Sequence, residues 1–523
     1  MSVPDLAVLV TAAAAEAGDR LAVVEAGGRG MTWAELDREV SRVASGLGNA
    51  GILAGHRVLI AVGNRLEFVT TYLGVLRAQA VAVPVNPGST PSELTRMVTD
   101  SGARMAVADG DTIDAVRGAV AAAKDEDGRV VATVVVGALP LADERSYDDL
   151  LAAEPQEVPQ LKDPEKLAVL LYTSGTSGLP RAVMLTHRAL VANIEQVATV
   201  DPPMIHSDDV VLGVLPLFHV YGLNAVLGGV LRHRAKLVLA ERFDPEGTLD
   251  LIEDEACSVV PVAPPVFAHW RGVEALEERL GPVRLVLSGS APLAADVIDD
   301  FTERTGIPVH QGYGLTEAAP VVTTTLISAA PQPGSVGTPL AGIELRLVDD
   351  DRVPLTGADL TDPGEIEIRG ANLFSGYWPD GADGPDGDGW WPTGDVGVYD
   401  AAGDLHLVDR VKDLIIVSGF NVYPTEIEAV LKQAPGVREA AVIGTPDPMT
   451  GEAVVAYVVP ADPAADPAAL AAAVEAHCEE RLARFKRPTR LEVVAELPHT
   501  ATGKVQKGRL RGQDRRRALG ILE

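Results

Sequence analysis

The chain has little cysteine, few aromatic residues and a shortage of positive charge. Cys257 and Cys478 are the only cysteines in 523 residues, and they are too far apart to match any metal-ligand spacing. Both are therefore expected to be buried apolar residues in a reducing compartment, the cytoplasm. Lysine and arginine total 44 against 74 aspartate and glutamate residues, and the resulting net charge of −30 disfavours binding to nucleic acid or anionic lipid.

No secretion signal is predicted, and one hydrophobic run has to be weighed as a membrane segment. The first 20 residues have no basic region ahead of their apolar residues, which argues against a signal peptide, and an amphipathic helix is predicted there instead. Residues 210–231 are long enough to cross a bilayer. Because they contain Pro216, His219, Asn224 and four glycines, a buried strand, turn and helix is favoured over a membrane segment.

Apolar runs rich in valine, isoleucine and leucine alternate with helix-like stretches before residue 334. Strands are predicted at 57–63, 81–85, 105–109, 130–137, 166–174, 235–241, 258–264 and 283–290, with helices between them such as 67–80 and 295–306. Continuous apolar strands that alternate with helices predict an α/β fold with a mostly parallel sheet.

The pattern changes after Gly334. Half-exposed antiparallel strands are predicted there, and 377–391 is expected to be a long surface loop. Since a single core stops growing at about 250–300 residues, at least two domains are expected. Composition puts the boundary near Asp409, which predicts domains at 1–408 and 409–523.

A run of small polar residues follows the strand at 166–174. Thr173, Ser174, Gly175, Thr176, Ser177 and Gly178 lead to Arg181. Glycines allow close backbone approach, hydroxyls donate hydrogen bonds and a cation neutralises charge, which together suit a polyphosphate. The spacing is not that of a Walker loop, and an ordinary polar turn stays open on these residues alone.

Further motifs occur in a fixed order: "SGSAPL" (288–293), "GYGLTEAAP" (312–320), "WWPTGDVGVYD" (390–400), "DRVKDLIIVSGFNVYPTEIE" (409–428) and "HTATGKVQKGRLR" (499–511). With the phosphate loop they resemble the adenylate-forming (ANL) superfamily, which includes acyl-CoA synthetases, luciferases and peptide-synthetase adenylation domains. The resemblance runs from about residue 20 to the C-terminus. It implies a large N-terminal domain of parallel-rich sheets with a small β-barrel-like part, and a small mobile α+β C-terminal domain.

The resemblance also assigns a nucleotide site. The loop would hold the β- and γ-phosphates of ATP, Thr316 would contact phosphate, and Glu317 would hold Mg²⁺, a cation that prefers carboxylates. The wall of the adenine slot would be built from Gly312, Tyr313 and Gly314 on one side and Ser290, Ala291 and Pro292 on the other. A different interpretation makes Thr316 a helix N-cap, which leaves Glu317 unexplained.

The ribose is assigned to an acidic residue. Asp395 resembles the acid that accepts the ribose hydroxyls, with Arg410 alongside. It is also possible to interpret "TGD" and "AAGD" as two hairpin turns, an assignment that suits Asp404.

The C-terminal motifs resemble parts that act in two reaction steps. Lys504 resembles the lysine that meets the carboxylate and α-phosphate during adenylation, and Lys412 the pivot about which the small domain rotates, a hinge-type motion near 409–412. Ser418 and Gly419 would then face the pantetheine arm of CoA, and Asn421 is expected among the cofactor-binding residues. His219 resembles the gate between the acyl and pantetheine tunnels, although a core histidine satisfied by backbone is equally compatible with the pattern.

Departures from the family pattern bear on the substrate. The phosphate loop ends Pro180-Arg181-Ala182 where Pro-Lys-Gly is usual, and Ile416 and Ser418 replace the lysines of coumarate ligases, which favours bacterial fatty-acid–CoA ligases.

The acyl pocket is expected near 219–224, 262–267, 288–290 and 313–321, segments with no acid placed for a substrate ammonium and no arginine for a second carboxylate. A hydrophobic monocarboxylic acid is therefore predicted, fatty acids first and aromatic acids second, with ATP and CoA as co-substrates. The sequence leaves open an acyl-AMP ligase that loads a carrier protein, and a homodimer. A non-enzymatic sensor that kept the fold is disfavoured, because Lys504, Glu317 and Asp395 are all present.

Overall fold

A computed structural model describes residues 5–123, 131–173, 180–291, 293–349, 351–356, 362–410, 413–417, 420–447, 450–482, 484–500 and 503–518. At residues 409, 410, 420, 421, 451, 515, 516 and 518 it describes the backbone alone.

Helices and strands alternate along much of the described chain. The α-helices are α1 (Ala7–Ala17), α2 (Trp33–Asn49), α3 (Leu66–Arg77), α4 (Pro91–Ser101), α5 (Ile113–Ala122), α6 (Tyr147–Leu151), α7 (His187–Ala198), α8 (Gly229–His233), α9 (Pro245–Glu255), α10 (Pro265–Trp270), α11 (Leu276–Arg279), α12 (Ala295–Thr305), α13 (Pro424–Lys432), α14 (Pro467–Arg481) and α15 (Lys507–Ala518). A π-helix spans Tyr221–Gly228, and 3₁₀ helices span Thr316–Ala318, Thr325–Ile327 and Arg484–Lys486.

The strands are β1 (Leu21–Glu25), β2 (Gly30–Thr32), β3 (Arg57–Ala61), β4 (Val81–Pro84), β5 (Met105–Asp109), β6 (Ala132–Val136), β7 (Arg145–Ser146), β8 (Leu167–Thr173), β9 (Arg181–Thr186), β10 (Val210–Gly213), β11 (Lys236–Leu239), β12 (Val259–Val262), β13 (Leu285–Ser288), β14 (Val309–Gly314), β15 (Val321–Thr324), β16 (Ser335–Pro339), β17 (Ile343–Val348), β18 (Gly364–Gly370), β19 (Trp391–Tyr399), β20 (Leu405–Arg410), β21 (Ile415–Val417), β22 (Phe420–Val422), β23 (Val437–Asp447), β24 (Gly451–Pro460) and β25 (Arg490–Val493).

The first compact unit holds two large sheets, and its described residues lie within Met1–Thr173, Pro180–Glu344 and Arg369–Trp391. One sheet has the order β7-β6-β5-β3-β4-β8-β9 and is parallel except for the β8–β9 pair. The other runs β16-β15-β14-β13-β12-β10-β11-β1-β2, with parallel pairing from β14 to β1. All eight strand segments predicted before residue 334 are found, because buried parallel strands carry continuous apolar runs.

The second compact unit contains most of β17 to β20 and the C-terminal elements, within Leu345–Ile368 and Pro392–Glu523. Its C-terminal sheet has the order β22-β21-β24-β23, with β25 parallel to β24. The apolar faces of α13 and α14 contribute Ile427, Leu431 and Val474 to the core of this sheet. The predicted boundary after residue 408 and the pivot at Lys412, which lies outside the described residues, stay predictions.

The hydrophobic run at 210–231 folds as β10, the π-helix and α8. Among the described residues, no helix combines the length and the apolar character needed to span a bilayer. Cys257 and Cys478 are both free and buried, as predicted.

Candidate active site

The predicted acyl segments meet at one edge of a sheet. Strands β10, β12, β13 and β14 are neighbours and parallel, so the residues that follow each of them lie at the same carboxyl edge. In open α/β sheets ligands bind in the crevice outside this edge. The fold therefore brings 219–224, 262–267, 288–290 and 313–321 to one edge of the sheet, and their role as the acyl pocket stays a prediction.

Close backbone packing explains the glycines of "GYG". A Cβ on Gly312 would lie 2.7 Å from the carbonyl oxygen of Thr323, and one on Gly314 would lie 2.5 Å from that of Pro320. Tyr313 between them is buried, with 6% of its surface exposed, and its N–H donates to the Thr323 hydroxyl at 3.2 Å.

The second predicted adenine wall has one strained residue. Ser290 has a φ of +73°, in the left-handed region that few side chains other than those of asparagine and aspartate adopt. Its Oγ is buried and has no hydrogen-bond partner in the described structure, and Ala291 beside it is half-buried. Pro292 lies outside the described residues. Strain combined with an unsatisfied hydroxyl is frequent at functional positions, and the role of this turn as an adenine wall stays a prediction.

The predicted metal ligand is held by a residue that sequence patterns do not indicate. Glu317 lies in the 3₁₀ helix that follows β14, and its Oε1 accepts a hydrogen bond from the Tyr377 hydroxyl at 2.7 Å. Burial, then the Glu317 charge, raises the pKa of Tyr377 well above its usual value, so the phenol stays a donor at neutral pH. The N-cap of this helix is Leu315, which excludes the interpretation of Thr316 as an N-cap.

Three buried asparagines, here called the amide scaffold (Asn193, Asn224 and Asn372), hold the turn after Glu317. The Asn372 and Asn224 side-chain amides donate to carbonyl oxygens in 318–319 at 2.7 and 2.6 Å. Asn193 donates to and accepts from the backbone of residue 321 at 2.7 and 3.0 Å. Because a buried backbone group without a partner is costly, these contacts fix the turn that carries Glu317.

Arg181, the last residue of the predicted phosphate loop, begins β9 opposite Thr173. Residues 374–378 add along the free side of β9, with the Trp378 N–H on the Ala182 carbonyl at 2.9 Å. This pairing brings the Tyr377 ring beneath Arg181, whose guanidinium carbon lies 3.7 Å from the ring centroid. Ser174, Gly175, Thr176, Ser177 and Gly178 lie outside the described residues.

The acyl side contains the π-helix. His219 precedes it, half-buried, and its Nδ1 accepts the Tyr221 N–H at 3.3 Å, a local contact that decides neither of the two interpretations of this residue. The Tyr221 ring lies on Gly289, where a Cβ would be 2.7 Å from Cε1. Burial raises the pKa of the Tyr221 phenol, which has no hydrogen-bond partner among the residues described.

Asp395 and Lys504 lie in the second unit. Asp395 is 6% exposed and lies within β19, paired in register with Arg410 of β20, which excludes a hairpin turn at "TGD". Asp404 does lie in the β19–β20 turn, as expected. Lys504 is exposed on a tight turn. The Thr500 N–H donates to the Lys504 carbonyl at 2.8 Å, and the Lys504 N–H donates to the Thr500 hydroxyl at 3.1 Å.

Five further predicted residues have no described side chain. Lys412, Ser418 and Gly419 fall outside the described residues, and Arg410 and Asn421 are described in backbone only. Their roles, like those of Lys504 and Asp395, stay predictions.

Comparison with known proteins identifies the class. Residues 10–378 match the family model of AMP-binding enzymes, and 426–504 match the model of the AMP-binding enzyme C-terminal domain. The chain therefore belongs to the AMP-binding enzyme family, the adenylate-forming superfamily.

Individual relatives narrow this class further. The chain is 35% identical over 518 residues to 4-coumarate–CoA ligase-like 9 of Oryza sativa subsp. japonica, covering 95% of this chain and 90% of the relative. It is 36% identical over 497 residues to feruloyl-CoA synthase of Amycolatopsis sp., covering 93% and 95%. Among solved structures, ATP-bound MatB from Rhodopseudomonas palustris is 33% identical and covers 97% of this chain and 98% of its own, with a TM-score of 0.86. The protein is an AMP-forming acid–thiol ligase.

Proposed function

We propose that the protein joins an aromatic carboxylic acid to CoA, with consumption of ATP and release of AMP and pyrophosphate through an acyl-adenylate. Sequence patterns alone rank fatty acids ahead of aromatic acids. Polar groups without partners in the acyl segments support the opposite order.

The observation that carries the proposal is a set of three hydroxyls. Ser288 Oγ and Ser290 Oγ are buried without a hydrogen-bond partner in the described structure, and the Tyr221 phenol, at the same sheet edge, has none either. Each such hydroxyl left unsatisfied costs about 1–3 kcal/mol, and a saturated alkyl chain has no group that could satisfy one. An aromatic acid with ring hydroxyl or methoxy groups can donate to them or accept from them.

The named relatives support the same substrate class. Both ligases described above carry names that refer to coumarate or ferulate, and the match extends over nearly the whole of each chain. A flat ring also suits a wall that contains the Tyr221 ring, because aromatic pairs gain from offset stacking.

The first step is attack of the acid's carboxylate oxygen on the α-phosphorus of ATP, with pyrophosphate leaving. Negative charge accumulates at the phosphates, so catalysis depends mainly on positioned cations and hydrogen-bond donors. In the proposal Arg181 meets the β- and γ-phosphates and Thr316 donates its hydroxyl to phosphate.

The donor set around Glu317 fits Mg²⁺. A carboxylate is the oxygen ligand this ion prefers, and Mg²⁺ completes its shell with phosphate and water. The Tyr377 hydroxyl orients the carboxylate from one side, at 2.7 Å from Oε1. When bound, the ion supplies charge neutralisation at the phosphates; the chain's contribution is to hold Glu317 still through Tyr377 and the amide scaffold.

The second step is attack of the CoA thiol on the acyl-adenylate, with AMP leaving. Lys504 would meet the reacting carboxylate in the first step and withdraw in the second, since the thiol needs the same space. A flexible side chain on an exposed turn suits a transient contact of this kind. Asp395 would accept the ribose hydroxyls in both steps.

The test is a panel of acids with ATP and CoA, read as thioester and as pyrophosphate. We expect 4-coumarate and ferulate to exceed cinnamate and benzoate, and all four to exceed octanoate and palmitate. Tyr221→Phe should lower the 4-coumarate to cinnamate ratio of kcat/KM about fivefold, the value of one hydrogen bond, and leave cinnamate unchanged.

Three outcomes would contradict the proposal. A ranking led by octanoate or palmitate would restore the fatty-acid ligase, which the apolar character of the same segments favours. Pyrophosphate release without thioester would indicate transfer to a carrier protein. Full adenylation by Lys504→Ala would remove the role assigned to that lysine.

A further inference from the structure

Arg181 of the phosphate loop forms an ion pair with an acidic residue. The Arg181 Nη2 group donates to the Asp383 carboxylate at 2.7 Å, and the two side chains are 38% and 69% exposed. No motif of the sequence indicates this pair, because its members are 202 positions apart.

The loop holds Asp383 in place through its backbone. Its carbonyl oxygen accepts the Trp391 indole N–H at 2.8 Å, and the Tyr377 N–H bonds the neighbouring Ala382 carbonyl at 2.9 Å. Asp383 itself has a φ of +55°, a conformation that aspartate and asparagine tolerate better than most residues. The carboxylate is therefore presented to Arg181 by a loop anchored at both ends.

Arg181 is contacted on two sides at once. The Tyr377 ring covers one face of the guanidinium at 3.7 Å, and Asp383 takes an N–H at its rim. Arginine binds phosphate best through two parallel N–H groups, in the same plane that a carboxylate uses. A phosphate that makes its bidentate contact through Nη2 therefore competes with Asp383 for Arg181.

We propose that Asp383 is a positioning residue that stands in for phosphate, holding Arg181 in its stacked place on Tyr377 until the triphosphate of ATP displaces it. The proposal rests on the role proposed for Arg181 and deepens it. Asp383 lowers the affinity for ATP, and it does so only for nucleotides whose β- and γ-phosphates reach Arg181.

The size of the effect follows from the exposure of the pair. Ion pairs between exposed side chains contribute little, so removing the competitor should tighten ATP binding by only about two- to fivefold. AMP lacks the phosphates concerned, and its affinity should not change.

The test measures the Kd of MgATP and of AMP for the full chain by titration calorimetry, without acid or CoA. Asp383→Asn keeps the size and backbone preference of the side chain and removes its charge. We expect a two- to fivefold lower Kd for MgATP, an unchanged Kd for AMP and a loss of the effect in Asp383→Glu. Asp388→Asn is the matched control, because Asp388 lies exposed in the same loop and no ion pair with Arg181 is found there.

Each outcome bears on a different statement. An unchanged or higher Kd for MgATP in Asp383→Asn overturns the proposal, since it shows a neutral or supporting contact. An equal gain in Asp388→Asn, or an equal gain for AMP, overturns it too, because the cause is then general repulsion. Arg181→Ala distinguishes failure of the phosphate role of Arg181 from failure of the competition by Asp383. If Arg181→Ala leaves the Kd of MgATP unchanged, Arg181 does not bind the phosphates. If it raises that Kd while Asp383→Asn has no effect, Arg181 binds the phosphates and only the competition by Asp383 is wrong.

Discussion

Tyr377→Phe removes a single hydroxyl and separates the two contacts of this side chain. The phenylalanine ring still stacks under Arg181, whereas Glu317 loses the donor that lies 2.7 Å from its Oε1. The expected consequence is a weaker magnesium site with unchanged contact to the arginine.

The magnitude follows from the nature of the hydrogen bond. Bonds to charged groups contribute about 1.5–3 kcal/mol, and the lower end applies because Tyr377 is half-buried. About 1.5 kcal/mol corresponds to about a tenfold rise in the Mg²⁺ concentration at half-maximal rate. Burial and the Glu317 charge keep the Tyr377 phenol protonated, its pKa raised above the usual value, so the defect should be the same from about pH 6 to pH 9.

The assay is pyrophosphate release at fixed ATP with Mg²⁺ titrated, at several pH values. Tyr72→Phe is the control, because the Tyr72 hydroxyl is fully buried and has no hydrogen-bond partner in the described structure. An unchanged Mg²⁺ midpoint in Tyr377→Phe, or an equal shift in Tyr72→Phe, would refute the reasoning.

Three further changes have expected outcomes. Burial lowers the pKa of His187 to about 4 from 6.5, so the unfolded state takes up the proton at a higher pH than the folded state does. The free energy of unfolding therefore falls by about 3 kcal/mol as the pH drops from about 6.5 to 4. His187→Leu should remove that part of the pH dependence, measured in denaturant titrations at about pH 4.5 and pH 7. Asn372→Leu leaves the Ala318 carbonyl without its partner and should cost about 1–3 kcal/mol of unfolding free energy, measured in guanidinium chloride. Gly289→Ala puts a Cβ 2.7 Å from the Tyr221 ring, so the KM for the acid should rise while the Kd for ATP stays constant.

Local sequence patterns predict the strands and turns but do not predict the side-chain contacts between distant segments. Strands such as β5 and β13 follow from continuous apolar runs, and the turn at Asp404 follows from composition. Composition assigns Tyr377 to a surface loop because its surroundings are rich in glycine and aspartate. Its bond to Glu317 joins residues 60 positions apart, and nothing in the composition of either segment specifies such a contact.

The candidate site also contains features that the sequence indicates and features that it does not. Gly312 and Gly314 come from the resemblance, and the structure supplies a physical reason for them, because a Cβ on either would lie within 2.7 Å of a backbone carbonyl oxygen. The role of Glu317 comes from resemblance, since one carboxylate in a turn has no physical feature that marks it as a metal ligand. Sequence patterns do not predict the π-helix at Tyr221–Gly228, because its bonding depends on the packing of neighbouring helices more than on its residues.

Deleting one residue from that π-helix would be a way to change the specificity for the acid. A π-helix bonds each residue to the fifth along, so losing one residue from Tyr221–Gly228 would restore ordinary α-helical bonding. Such a deletion would turn Tyr221 and Asn224 relative to each other, and the wall facing the acid would change in one step. Homologues that differ by a single codon in this helix would then be expected to prefer different acids even where every pocket side chain is the same.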